Sequence, residues 1–381
     1  MGEILSGVGS SLHTIFFFVV AISALVSVHE YGHFWVARRC GVRVEVFSIG
    51  FGREIFGWTD RKGTRWRISM LPLGGYVRFF GDADATSALP DGTIAMTEAE
   101  RKVSYAGQSV GKRAAIAAAG PIANFLLAIV VFFGFVYAYG QPFTAPVADR
   151  ITPDSAAEAA GIQPGDRFLS IDGSKIESFE DMIRLMRLNP GTPVDIVLDR
   201  RGQTVELTVT PRLVEVDDGA GRKQKIGMLG VGSSGREYHQ LGILESVWAA
   251  IGEVGSTINV TATAIGQMIQ GSRGTEDLGG PLRIADMSGR IAETGIENFI
   301  WLIAALSVNL ALFNLLPVPM LDGGHLLFYA FEAVRGRPLG ERIQEFGFRV
   351  GLAMVLTLMV FATWNDLVQL RVFDFISRLF T

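Results

Sequence analysis

Apolar residues fall into four long runs, separated by stretches that alternate or turn polar. The first run extends from about Thr14 to Arg38, long enough as a helix to cross a hydrocarbon core of about 30 Å. The second, Ala114–Tyr139, is interrupted by Gly120-Pro121 and carries Asn124 as its lone polar side chain. Small residues at Ala117, Ala118 and Gly120 predict a close-packing face with a proline kink there. Service at a functional site is the alternative for Asn124. The third run, Phe299–Val318, is interrupted by Asn309 and Asn314 and broken by Pro317-Val318-Pro319. The fourth, Gly351–Trp364, is short but extends upstream to Phe346.

Between the first two runs, Val42–Ile49 and Thr64–Met70 alternate apolar and polar residues, as half-buried strands do. They predict a plain surface hairpin or a sheet lying at the membrane surface, whose exposed edge can pair with an extended backbone. Beyond Gln141 the pattern is that of a soluble domain. A strand at Leu169–Ile171 turns at Asp172-Gly173, and Phe179–Leu188 spaces Met182, Ile183, Leu185 and Met186 as a helix does. Val194–Asp199 and Thr204–Thr210 form a hairpin around Arg201-Gly202. Gly227–Gly235, rich in Gly and Ser, ends this domain. Leu241–Gln270 carries Glu245 and Glu253 among apolar residues and reads as an amphipathic helix on the outer surface, with a true span as the alternative.

These patterns divide the chain into 1–39, the first transmembrane helix; 40–113, a cytoplasmic-side β-hairpin and loop region; and 114–140, the second helix. A soluble domain at 141–235 and an amphipathic helical region at 236–298 follow. Then come 299–325, the third helix; 326–347, a cytoplasmic loop; and 348–381, the fourth helix with an amphipathic tail. The expected fold is an α-helical polytopic membrane protein of about four transmembrane helices, with a membrane-associated β-hairpin region and one extracytoplasmic α+β domain.

Composition narrows the class. At 49% hydrophobic residues and mean hydropathy +0.33, the 381-residue chain is too apolar for an ordinary cytosolic enzyme. A net charge of −4, with no basic cluster interleaved with aromatics, argues against nucleic acid as a partner. The one cysteine, Cys40, excludes an internal disulfide framework and a cysteine-based zinc site. The opening MGEILSGVGSSLHT lacks Lys and Arg, so it is a poor signal peptide and the first run is expected to stay in the protein. Arg43, Arg53, Arg61, Lys62, Arg65 and Arg67 make the 40–113 region cytoplasmic by the positive-inside rule, which puts the N-terminus and the 141–235 domain outside.

The candidate chemistry lies in the first run, at His29-Glu30-Tyr31-Gly32-His33. Residues four apart share a helix face, so both histidines can address one metal ion while Glu30 stands by to take a proton from water. With 5 histidines in 381 residues, little room is left for a chance match. About fifteen apolar or small residues precede His29, roughly 22 Å of helix. The pair therefore falls inside the membrane, where ionisable side chains mark function by default. A buried histidine pair satisfied by hydrogen bonds, with a snorkelling Glu30, is the structural alternative.

Two histidines do not close a catalytic zinc site. Asp322, in Leu321-Asp322-Gly323-Gly324-His325 after the broken third run, is the stronger third ligand, because hydrolytic zinc sites use a hard, compact set. His325 is its rival. If the first and third segments both run inward, His33 and Asp322 arrive near the same membrane face. His13 and His239 fall on the far side and read as surface residues.

The segment from Ala159 to Asp166 (AAGIQPGD), followed by Ile171-Asp172-Gly173, resembles a PDZ domain of the bacterial protease type over about Pro146 to Pro211. That module, the histidine motif in the first membrane segment and the run Asn314 to Gly323 (NLLPVPMLDG) together resemble the site-2 protease family, most closely its bacterial RseP-type intramembrane zinc metalloproteases. The resemblance implies His29, His33 and Asp322 as ligands of Zn2+ and Glu30 as general base. It also implies that Asn314 holds the substrate backbone or its developing oxyanion, and that the 42–80 strands form a hairpin beside the cleft. The implied substrates are membrane-embedded single-pass proteins already trimmed outside, such as anti-sigma factors or signal-peptide remnants. The PDZ-like domain would contact substrate or chain ends. The implied location is the bacterial inner membrane, with the N-terminus and PDZ-like domain periplasmic. One departure is that relatives of this type carry two tandem PDZ modules where this chain has room for one. Two rival classes are a membrane metal transporter, which needs neither Glu30 nor a PDZ-like module, and a non-catalytic PDZ scaffold, which the intact motif argues against.

Overall fold

The computed structural model describes residues 2–81, 97–217, 223–233, 236–271, 279–337 and 339–369. The chain forms two compact units, one of Met1–Phe132, Ile251–Thr261 and Thr275–Thr381, the other of Phe133–Ala250 and Ala262–Gly274.

In the first unit, helix α1 (Gly2–Arg39) is continuous over 38 residues, so the polar stretch before Thr14 is helical as well. Arg38 and Arg39 close it, complementing the negative end of the helix dipole. Strands β1 (Val44–Thr59) and β2 (Arg65–Phe79) outrun the alternating segments that predict them, and each doubles back. Residues 44–49 pair with both 75–79 and 65–69, and 54–59 pair with 65–69. The outcome is not a plain hairpin but a mixed sheet in the order 75–79, 44–49, 65–69, 54–59, whose central pair, 44–49 and 65–69, runs parallel while the outer pairs are antiparallel. Gly50, at φ 88°, serves the bend in β1, and a Cβ there would lie 2.7 Å from the Leu71 carbonyl oxygen. The inner end of the sheet buries Val44, Phe47 and Phe79 against Phe34 and Ala37 of α1. The far end leaves Ile55, Phe56 and Met70 exposed. Helix α2 (Glu98–Val103) starts at a capping box between Thr97 and Glu100. Helix α3 (Val110–Tyr139) continues as helix through Pro121.

The second unit is built of short strands. In chain order these are β3 (Gln141–Thr144), β4 (Arg150–Ile151), helix α4 (Ala156–Ala159), β5 (Arg167–Ile171), β6 (Ser174–Lys175) and helix α5 (Phe179–Leu188). There follow β7 (Val194–Arg200), β8 (Gln203–Val209), β9 (Arg212–Asp217), β10 (Lys223–Met228), β11 (Val231–Gly232) and β12 (Arg236–His239). A four-stranded antiparallel sheet, β6-β5-β7-β8, carries the core. Period-two alternation turns Val194, Ile196 and Leu198 inward onto Phe168, Met182 and Met186. Each such fully buried side chain contributes about 1.5–3 kcal/mol. The helix α5 ends where its apolar spacing predicts, and a Ser178–Asp181 capping box starts it. The Gly/Ser-rich stretch that reads as the domain's end pairs back to its beginning, because β11 lies against β4.

After α6 (Ile243–Ile269) come α7 (Pro281–Glu293), α8 (Ile296–Asn314), α9 (Asp322–Arg335) and α10 (Glu341–Gln369). Helix α7 is capped from α10: the Asp366 carboxylate accepts from the N–H groups of Gly280 (2.8 Å), Leu282 (3.0 Å) and Arg283 (3.0 Å). The segments containing Leu12–Arg39, Val110–Tyr139, Ile296–Asn314 and Arg342–Gln369 are the four described helices long and apolar enough to cross a membrane.

Two boundaries need correction. The third membrane helix does not extend over 299–325, since it stops at Asn314 and Asp322 begins a new helix. The 326–347 segment is accordingly helical through Arg335 rather than a loop. Its arginines do not prevent helix formation, and a left-handed Gly336 ends the helix. Of the amphipathic tail, residues 370–381 lie outside the described residues.

Candidate metal centre

Helix α1 sets His29 and His33 one turn apart on one face, with their Nε2 atoms 3.2 Å from each other. Asp322, the first residue of α9, meets both: Oδ2 is 3.1 Å from His29 Nε2 and Oδ1 is 3.4 Å from His33 Nε2. Four ligands placed tetrahedrally at about 2.0–2.1 Å from zinc lie about 3.3 Å apart. The nearest approaches lie close to that figure, those of Asp322 being made through its two different oxygens. Two imidazoles with a carboxylate bound through one oxygen leave a fourth position open. Among the described residues this is the group of His, Cys, Asp and Glu side chains whose ligand atoms converge, all within 4.8 Å. The residues present fit zinc.

The backbone that delivers Asp322 is tightly bent. Past the end of α8, the Leu321 N–H donates to the Val318 carbonyl at 3.0 Å, closing a turn over Pro319 and Met320. Met320 has φ 81°, as the third position of a type II turn demands. A Cβ on Gly323 would fall 2.3 Å from the carbonyl oxygens of Leu315 and Leu316, and one on Gly324 would fall 2.3 Å from that of Val318. The two glycines thus let the first turn of α9 sit directly on the broken segment. The other end of α9 is tied down by Glu332, which accepts from Arg113 at 2.6 Å, and by Tyr329, whose hydroxyl is 2.8 Å from that of Tyr105.

Helix α3 covers the histidines from behind. A Cβ on Gly32 would lie 2.3 Å from the Ala119 carbonyl oxygen, and one on Gly120 would lie 2.3 Å from His33 Nε2, so both positions require glycine for close approach. His33 Nδ1 is 2.7 Å from the Ile116 carbonyl oxygen, and the Asn124 amide is 3.2 Å from His29 Nδ1. Asn124 is fully buried. Sequence reasoning prefers simple packing for this helix, and the structure instead gives its lone polar side chain to the histidine. Ser307 of α8 donates to the Asn124 carbonyl at 2.9 Å.

Glu30 is half-buried and accepts a hydrogen bond from the Val77 backbone. Gly75 in the same strand lies so close that a Cβ there would be 3.7 Å from Glu30 Cγ. The outer ribbon of the sheet, 75–79, therefore runs beside this carboxylate. Asn314 is the half-buried last residue of α8 and is not one of the converging three. His325 turns its ring to Phe348, with centroids 5.4 Å apart, and also stays outside the group. His13 is not a surface residue, since its Nδ1 is buried and its ring lies 4.6 Å from that of Phe17. His239 lies exposed on β12. The Arg113–Glu332 pair has no signature in the sequence, its partners being 219 residues apart.

Comparison with known proteins bears on this centre directly. A protein of Agrobacterium fabrum named "Putative zinc metalloprotease" is 45% identical over 375 residues, covering 97% of this chain and 100% of its own length. The metalloprotease MmpA of Caulobacter vibrioides is 40% identical over 385 residues, 94% of this chain and 96% of its own. A solved PDZ domain of an SdrC-like protein from Listeria innocua matches at 21% identity and TM-score 0.20, covering 25% of this chain and 99% of that one, a likeness too slight to carry argument. The model of Peptidase family M50 matches residues 17–358. With its four apolar helices, the chain is a multi-pass membrane protein and a zinc metalloprotease, and it belongs to Peptidase family M50, the site-2 protease family.

Proposed function

We propose that this protein is an intramembrane endopeptidase in which His29, His33 and Asp322 hold the zinc and Glu30 is the general base. The observation that carries this reading is the convergence of those three ligand atoms beside Glu30, with both histidines and Glu30 on an apolar helix long enough to cross a membrane. Zinc, when bound, supplies a Lewis acid for the scissile carbonyl and for the attacking water. Glu30 takes a proton from that water and delivers it to the leaving amine.

A substrate helix hides its carbonyls in its own hydrogen bonds, so it must unwind before it can be cut. The 75–79 ribbon supports that step, because it borders the sheet and gives Glu30 a backbone hydrogen bond from Val77. An unwound segment adding to this edge would run past the base. The exposed Ile55, Phe56 and Met70 support a sheet dipping into the membrane surface. Asn314, eight residues before Asp322 at the end of α8, would hold the substrate backbone or its oxyanion.

The substrates are single-pass proteins already trimmed outside, of the anti-sigma-factor or signal-peptide-remnant kind, cut in regulated intramembrane proteolysis. The protein lies in the bacterial inner membrane, with the N-terminus and the 141–235 PDZ-like domain periplasmic. That domain screens out substrates still carrying bulky outer parts.

Glu30→Gln tests the assignment. Reconstituted with a tagged, pre-trimmed single-pass protein, the variant should lose cleavage by about 10²–10⁴-fold while retaining stoichiometric zinc. Normal cleavage in that variant would remove Glu30 from the mechanism.

A further inference from the structure

We infer that Asn124 is a positioning residue, which holds the imidazole of His29 in the tautomer that offers Nε2 to the metal. The inference rests on the reading of His29, His33 and Asp322 as ligands. A histidine that binds a metal through one ring nitrogen carries a proton on the other, and that N–H needs an acceptor to fix the ring. For His33 the acceptor is plain: Nδ1 lies 2.7 Å from the Ile116 carbonyl oxygen, a group that can only accept. Its Nε2 lone pair is thereby left facing His29 and Asp322.

His29 presents Nε2 to the same point and has one partner on Nδ1, the Asn124 side chain at 3.2 Å. The two ends of a carboxamide are told apart by their partners alone. With the nitrogen toward His29, the Asn124 oxygen is buried without a hydrogen-bond partner. With the oxygen toward His29, it accepts from Nδ1–H, and Nε2 is free to ligate. Asn124 is fully buried, and Ser307 holds its main-chain carbonyl at 2.9 Å, so the amide is fixed in place. Ile116, Gly120 and Asn124 are spaced by four residues, so one face of α3 presents a carbonyl to His33, a gap for both rings and an amide to His29.

The test is zinc affinity of the purified full chain in detergent by chelator competition, with the melting temperature of the zinc-free protein measured alongside. Asn124→Leu keeps the volume and removes the acceptor, and should weaken zinc binding by about 10–100-fold. Asn124→Asp keeps an acceptor and should restore affinity toward the wild type, although a packing role would make a buried carboxylate the worse replacement. The pair Asn124→Thr and Asn124→Val repeats the contrast with smaller side chains, and Thr should bind zinc more tightly than Val. Wild-type affinity in Asn124→Leu, or affinity tracking the zinc-free melting temperature across all four variants, would overturn the inference. His33→Ala separates the two levels: if it binds zinc as the wild type does, the ligand assignment itself has failed.

Discussion

Each unit draws a carboxylate in from solvent, Asp166 fully and Asp322 by half, and the two are handled in opposite ways. Asp166 in the second unit is 1% exposed and meets a cation: Arg200 donates to both its oxygens, at 2.8 and 2.6 Å, and the Gln163 N–H adds a third bond at 2.8 Å. Charge and lone pairs are answered within the fold, so the group locks the loop before β5 to the end of β7. Asp322 in the first unit faces two imidazole nitrogens at 3.1 and 3.4 Å. Three ligand atoms aimed at one point form a place for a cation between them. An acid beside an arginine builds structure, as Glu332 with Arg113 also does in the first unit, whereas a half-buried one beside two histidines and no arginine builds a site.

Removing each carboxylate should separate these roles most sharply. Asp322→Ala is expected to weaken zinc binding by more than the roughly 100-fold that follows loss of an outer partner, with the second unit unaffected. Asp166→Ala should leave zinc content unchanged and destabilise the second unit by about 1–3 kcal/mol, read as faster hydrogen exchange in β5 and β7. Zinc loss in Asp166→Ala would mean that the two carboxylates are not independent.

The same contrast holds for glycines. Gly120 needs space, because its Cβ would fall 2.3 Å from His33 Nε2. Gly165 has open space around it but sits at φ 95°. Gly120→Ala should therefore abolish tight zinc binding with the helices intact, while Gly165→Ala should cost roughly 1–2 kcal/mol in the second unit from backbone strain. Circular dichroism with zinc titration checks both, and a Gly120→Ala protein that holds zinc normally would show that the rings have other room.

Acid should act on the second unit through Asp166. Burial raises its carboxyl, but the bonds from Arg200 and Gln163 outweigh that and hold it below its ordinary range. A lowered folded value means that its stabilisation is complete above about pH 4 and is lost as pH falls further, through the folded value. Exchange in β5 should quicken below that point in the wild type, and Asp166→Asn should show no such step.

What was legible in the sequence was local. The ends of α5 follow from Ser178 and the spacing of its apolar residues, and the pairing of His29 with His33 needs only four residues of helix. Asp322 was reachable because a broken backbone inside an apolar run demands a reason. The rest required partners far along the chain. Asn124 and His29 are 95 residues apart, and packing and ligand support leave the same mark on a polar residue in an apolar helix. The doubled-back strands are hidden in the sequence because alternation stops at Gly50, and the glycine-spaced 51–59 carries no strand pattern of its own. The helical character of 326–335 is hard to see in the sequence because its arginine-rich end resembles a polar loop, although Leu326, Tyr329 and Ala330 share one helix face.

The smallest expected effect concerns the bend itself. In the second unit, Asp172 and Arg201 take left-handed backbone at φ 48° and 55°, each followed by a glycine in a two-residue hairpin turn. Met320 does so alone at φ 81°, where glycine is the ordinary residue. Left-handed backbone costs a side chain-bearing residue roughly 1–2 kcal/mol, and glycine loses about 0.5–1 kcal/mol more conformational freedom on folding. Met320→Gly should thus stabilise the zinc-free protein by about 0.5 kcal/mol, a rise of roughly 1–2 °C in melting temperature. If the turn alone aims Asp322, zinc affinity should stay within about 3-fold, far from the loss expected of an outer partner. A tenfold loss beside a higher melting temperature would show that stiffness at Met320 holds the ligand in place, and that strain which only reverses the chain in the second unit serves the metal in the first.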